Sequence, residues 1–209
     1  MQKARAFFFV CGGLLGLALL MPRPAAAGWP TDPLVNVPLC TAAGDQGYAK
    51  IVADGTGGTI VTWHDARSGY TDIYAQHILA SGVADPTWPT DGRALCTAAN
   101  DQYGPMLTAD GAGGAIVTWM DNRSGRADIY AQHVLASGAI DPAWPTDGLA
   151  LCTAADDQHN PAIVADGERG AIVAWFDYRS SPTISHLFAQ HLLASGAVDP
   201  VWPIDGLAL

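Results

Sequence analysis

Gly113-Gly114-Ala115-Ile116-Val117-Thr118-Trp119-Met120-Asp121-Asn122-Arg123-Ser124-Gly125-Arg126-Ala127-Asp128-Ile129-Tyr130-Ala131-Gln132 is the stretch whose reading decides the fold. An apolar run ends at a Trp, a polar turn of Asp, Arg, Ser and Gly follows, and a second run leaves through Asp-Ile-Tyr-Ala-Gln. Two such runs about a Gly-containing turn read as a β-hairpin. The same string stands at Gly57 to Gln76 and, altered, at Arg169 to Gln190.

The spacing is regular enough to set the architecture. Trp63, Trp119 and Trp175 recur every 56 residues. Trp88, Trp144 and Trp202 recur at 56 and 58, because the third hairpin holds two extra residues between Arg179 and His186. Each copy contains four strand-like runs. In the middle copy these are Pro105 to Ala109, Ala115 to Met120, Asp128 to Leu135 and Leu149 to Cys152. The second run is apolar on both faces, which requires cover on both sides. No segment keeps a helical period.

Four antiparallel strands per repeat predict an all-β chain of β-propeller blades. A parallel β-helix is the competitor, but its coils are shorter and lack repeated hairpin turns. The predicted boundaries are a partial strand at Leu34 to Cys40, then three blades at 41–96, 97–152 and 153–209, all within a domain of 28–209. Propellers close with about 4–8 blades. Three blades leave apolar faces open, which predicts a truncated propeller, further blades, or self-association that closes the ring.

Residues 1–27 read as a secretory signal peptide: Lys3 and Arg5, an apolar stretch from Ala6 to Leu20, then Ala25-Ala26-Ala27. The expected location is therefore periplasmic or secreted, from a bacterium, with no membrane insertion once the leader is cleaved. Losing Lys3, Arg5 and Arg23 with no acid takes the formal charge from −10 to −13. Such a surface repels phosphate backbones, so nucleic acid is excluded as a partner. Cys40, Cys96 and Cys152 occupy one place in the repeat and read as small buried residues, since equivalent positions lie too far apart for a disulfide.

Trp119 to Gly125 with Asp128 to Gln132 resembles the repeats of bacterial secreted β-propeller proteins of the sialidase-like, Asp-box-like kind. The box itself, Ser-x-Asp-x-Gly-x-Thr-Trp, is absent; Asp110-Gly111 ahead of Thr118-Trp119 is its nearest echo. That resemblance implies the fold and, for true sialidases, a Tyr nucleophile with a Glu partner, an Asp acid and three Arg.

Glu168 is the one Glu, and it stands in a turn where other copies carry Thr56 and Ala112. Arg67, Arg123 and Arg179 recur with Asp65, Asp121 and Asp177, which points to a structural turn in every blade. Asp65/Asp72 and Asp121/Asp128 bracket that turn. Calcium is the one cation they suit, but the second Asp becomes His186 in the third copy, so no metal site is predicted. His77, His133 and His191 read as hydrogen-bonded blade-edge residues. Trp88, Trp144 and Trp202, in the Asp-Pro-x-Trp-Pro loops, are either sugar-stacking residues or plugs between blades. The sequence therefore predicts a non-enzymatic binding module with no catalytic residue and no cofactor, its ligand a protein or a glycan. A lectin-like propeller is the alternative and a sialidase-like hydrolase the second.

Overall fold

The computed structural model describes Trp29, Asp32 and residues 34–209. The leader expected at 1–27 lies outside the described residues. Among the described residues the chain is all β, and no helix is long and apolar enough to cross a membrane.

Three antiparallel meanders follow one another. The first sheet is β1 (Gln46–Ala53), β2 (Thr59–Asp65), β3 (Asp72–Ile78) and β4 (Arg93–Cys96). The second is β5 (Gln102–Ala109), β6 (Ala115–Asp121), β7 (Asp128–Val134) and β8 (Leu149–Cys152). The third holds β9 (Gln158–Ala165), β10 (Ala171–Asp177) and β11 (His186–Leu193), with two-residue strands β12 (Ala197–Val198) and β13 (Leu207–Ala208) both on β11. β13 takes the fourth place, since Phe188 pairs with Ala208 as Tyr74 pairs with Ala94. None of the sheets closes on itself.

The central hairpin keeps strict register from Asp121↔Asp128 to Ala115↔Val134. The first strands begin three residues earlier than the pattern suggested, at Gln102 in place of Pro105. Pro105 cannot donate to a ladder, so pairing runs through Gln102↔Asp121 and Tyr103↔Met120, skips the proline as a bulge, and resumes at Met106↔Thr118. Leu34 to Cys40 forms no strand. Its counterparts β4 and β8 lie on a third strand through Ile73↔Cys96 and Ile129↔Cys152, and among the described residues no such strand lies beside 34–40.

The sheets pack face against face in chain order. Ile60, Ile73 and Ala75 meet Ala115, Val117 and Trp119 at one junction, and Ile116, Ile129 and Ala131 meet Ala171, Val173 and Trp175 at the next. β6 is buried along its whole length, which explains why its sequence is apolar on both faces. Backbone bonds pin the junctions: Gln102 N donates to Thr71 O at 2.7 Å and Gln158 N to Ala127 O at 2.7 Å. Contacts between β1 and β5 and between β5 and β9 bring the first strands of neighbouring sheets together.

Candidate functional site

The repeated turn residues form a closed polar knot. Asp121 is fully buried and accepts Trp119 Nε1 at 2.9 Å, Arg123 N at 2.9 Å, Arg123 Nε at 2.8 Å and Arg123 Nη2 at 2.6 Å. The same guanidinium donates to Asp147 O at 2.6 Å and lies 4.0 Å over the Tyr130 ring. Asp65 with Arg67 and Asp177 with Arg179 repeat this arrangement. Burial would raise the Asp65 carboxyl, but the bonds from Arg67 and Trp63 outweigh it and hold it at about 2. Each arginine also reaches the cysteine of the preceding segment, Arg123 Nη2 to Cys96 Sγ at 3.2 Å. Burial pushes the Cys96 and Cys152 thiols up to about 12, which keeps them protonated and unreactive. All three described cysteines are free. Asp72 and Asp128, the second members of the bracketing pairs, accept from Ser68 and Ser124 instead. Among the described residues no group of three or more His, Cys, Asp or Glu is placed to hold a metal ion.

The repeated histidines each sit between two carboxylates. His133 Nδ1 meets Asp141 Oδ2 at 2.8 Å and Nε2 meets Asp110 Oδ2 at 2.9 Å, tying the turn before β6 to the loop after β7. His77 and His191 do the same with Asp85/Asp54 and Asp199/Asp166. Burial opposes ionisation of Asp110 and Asp166, yet the His bonds and turn amides win and both are held below the usual carboxylate range. His191 is raised above 6.5, chiefly by its Asp166 bond, against desolvation. A depressed carboxylate stabilises the fold above its unfolded pKa near 3.8 and loses that contribution as acid protonates it. A raised histidine contributes fully below 6.5 and loses it as pH climbs through its folded value. Melting temperature is therefore expected to fall on the acid side below about pH 4 and, through His191, on the alkaline side above about pH 6.5. Thermal melts across that range check this. His191→Gln removes the histidine's part of the alkaline decline, and an unchanged profile in that variant contradicts the assignment.

The loop tryptophans do not converge on a common surface. Trp88 and Trp144 are 4% and 5% exposed, each wedged against the next sheet. Trp88 Nε1 donates to Ala136 O at 3.1 Å, and its ring lies so close to Gly138 that an added Cβ would come within 2.8 Å. Gly138 also has φ +77, so that seat accepts only glycine comfortably. Trp202, with no following sheet in the chain, is half-buried. Glu168 is exposed in its turn.

A different set of residues meets at a pocket that sequence reading passed over. A cavity of about 760 Å³ opens where β1, β5 and the start of β9 come together, lined by Tyr48, Lys50, His64, Thr71, Asp101, Tyr103, Met106, Met120, Asn122 and Asn160, with Gly104 and Pro161. Apart from Asp101 and Pro161, each lies at a position where the three copies carry three different residues. Tyr48, Gly104 and Asn160 share one place in the repeat, as do His64, Met120 and Phe176, and Lys50, Met106 and Ala162. Other departures, such as Thr56, Ala112 and Glu168, fall in exposed turns where any polar or small residue serves. The departures were visible in the sequence; that they share a cavity was not.

Local geometry presents these side chains. The bulge after Gly47 leaves Tyr48 at φ 56 and its counterpart Asn160 at φ 53, a left-handed backbone that costs a residue with Cβ about 1–2 kcal/mol. Tyr48 is 70% exposed and its ring lies 4.8 Å from that of His64. His64 Nδ1 is buried without a hydrogen-bond partner, and burial pulls the ring's pKa below 6.5 despite Asp65 and Asp101, so it is neutral at pH 7. Burial raises the Tyr103 hydroxyl, against the lowering influence of neighbouring Asn122. Asp101 Oδ1 accepts Thr71 N at 2.9 Å and Oγ1 at 3.1 Å, a tie between sheets that Asp157 repeats with Ala127 N at 3.1 Å. The result is an aromatic-walled, amide-rich pocket with one carboxylate and one neutral imidazole.

No family model matches the chain, and no curated protein matches it. Among solved structures it is similar to a glycosyl hydrolase from Bacteroides ovatus at 13% identity and a TM-score of 0.48, over 80% of this chain and 51% of that one. It is similar to an endo-arabinase from Bacteroides thetaiotaomicron at 15% identity and a TM-score of 0.46, over 84% and 62%. A third, described with the GH130 family of mannoside phosphorylases and glycoside hydrolases, gives 13%, a TM-score of 0.46, and 80% and 52%. The chain thus spans 51% to 62% of the length of these three. Their names are those of carbohydrate-active enzymes, which runs against the expectation of a non-enzymatic binding module and of no enzyme, although a likeness at this level concerns the fold alone. At such identities they assign no residue.

Proposed function

We propose that the three sheets are blades of a β-propeller of glycoside hydrolase type, exported from the cell, whose axial pocket holds a sugar unit of a glycan that the protein cleaves. The observation that carries this is the gathering of the repeat's departures in one cavity. Residues that only hold sheets together recur in every copy, whereas a ligand on the axis meets each copy from a different side and selects different residues there. The chemistry suits a sugar. Tyr48 and Tyr103 offer flat apolar faces to ring C–H groups, and Asn122, Asn160 and Lys50 reach hydroxyls. Of the two carboxyl groups that most glycoside hydrolases use, this pocket wall carries one, Asp101, with neutral His64 as a nearby proton acceptor.

Binding and reducing-sugar release across a panel of polysaccharides test the reading. Tyr48→Ala is expected to weaken binding about tenfold, the worth of one stacked aromatic, with melting unchanged because the ring is exposed. Asp101→Asn keeps the acceptor for Thr71 and is expected to cut turnover by about 10²–10⁴. If no glycan binds and none is cleaved, the proposal fails.

A further inference from the structure

The axial pocket continues past Tyr103. A second hollow of about 470 Å³ adjoins it, and the two share Asp101, Tyr103 and Asn122 as a common wall. The far side of the second hollow is built from Tyr70, in the turn between β2 and β3, Arg126, in the turn between β6 and β7, and His159, near the start of β9. All three sheets border it, as they border the axial pocket.

The departures from the repeat run on into this hollow. Tyr70 and Arg126 hold one place in the repeat, and Gly47, Tyr103 and His159 hold another. The hairpin turns are fixed without these side chains, by Asp65 with Arg67 and by Asp121 with Arg123. Tyr70 is 58% exposed, an aromatic face held open to water beside a cavity. The polar lining decides the chemical class of the occupant. Asp101 and Asp157 bring two carboxylates, and the charge of Arg126 is balanced by Asp156, 2.8 Å from its Nη1. Such a wall repels a polyanion and is costly to cover with an apolar ligand, whereas hydroxyl groups donate to it.

We propose that an uncharged glycan chain lies across both hollows, with one unit against Tyr48 in the axial pocket and the following units over Tyr103 towards Tyr70. The placement rests on the glycan reading of the axial pocket and adds the ligand's length: at least two joined units, with chain on both sides of Asp101. Each hollow is of the size that holds a small ligand, about 300–1,000 Å³, so a single sugar unit leaves one of them to water. Joining the units makes occupation of the second hollow intramolecular, which raises affinity above that of either unit alone.

The test is titration of the protein with manno-, xylo-, cello- and arabino-oligosaccharides of one to six units, with oligogalacturonates as the charged series. In a series that binds, affinity is expected to rise by about tenfold or more from the one-unit to the four-unit member. Tyr70→Ala removes about tenfold of that gain, the worth of one stacked aromatic. It leaves single-unit affinity unchanged, and melting too, because the ring is exposed. Tyr48→Ala weakens every length alike. An affinity equal at all lengths, a gain that Tyr70→Ala leaves intact, or a preference for the oligogalacturonates overturns the proposal and leaves sugar binding in the axial pocket standing. If no series binds at any length, the glycan reading itself falls, and the extended site with it.

Discussion

Replacing Asp121 with Ala lowers the stability of the fold by about 3–5 kcal/mol, the usual cost of breaking a buried ion pair from one side. The carboxylate is fully buried and receives five hydrogen bonds, three of them from Arg123, one from Trp119 and a long one of 3.8 Å from the Cys96 thiol. Without it the guanidinium keeps its charge against Tyr130 and Asp147 O but loses its counter-ion, and the indole N–H is left in a dry junction. The middle sheet has a neighbour on each face, so the loss is felt at both junctions. Urea denaturation reads the effect. Asp121→Asn, which keeps the shape and one acceptor, should fall between wild type and the Ala variant. A cost under about 1 kcal/mol would place Asp121 among ordinary surface ion pairs and end the claim that the repeated turn is a structural knot.

Trp144→Ala is expected to cost a further class of stability, about 3–5 kcal/mol for a large aromatic removed from a packed site. Its ring is 5% exposed, wedged at Gly196, and lies 5.9 Å from the His133 ring. The same change at half-buried Trp202, which faces no following sheet, costs much less in the isolated protomer. Calorimetric melting of the two variants side by side gives the comparison. If Trp144→Ala melts like wild type while glycan binding disappears, the loop tryptophans are the sugar site and the pocket at Tyr48 is not.

The regular parts of the molecule were legible because they repeat. Trp119, Asp121 and Arg123 recur with fixed spacing, and a hairpin with a buried indole needs that acceptor at that distance. The apolar run of β6 announced cover on both faces, and the structure provides it. Legibility failed where the chain breaks its own rule. Pro105 marked a strand's start to the eye, but the ladder begins before it and the proline falls in a bulge. Leu34 to Cys40 carried a strand's composition, yet a strand exists only beside a partner, and none lies there.

The sequence by itself determined the repeated hairpins, their order and the recurring Asp–Arg tie, because each is a local contract within one repeat; the two carboxylates on each histidine came from the structure. Only the tertiary structure decided the candidate site. Tyr48, His64, Asp101, Tyr103, Asn122 and Asn160 come from three sheets and become neighbours only when first strands pack side by side. Read singly, all but Asp101, which recurs as Asp45 and Asp157, were unremarked departures from a repeat. Proximity in space, which hydrophobic packing of the sheets creates, is what gives them a shared chemistry.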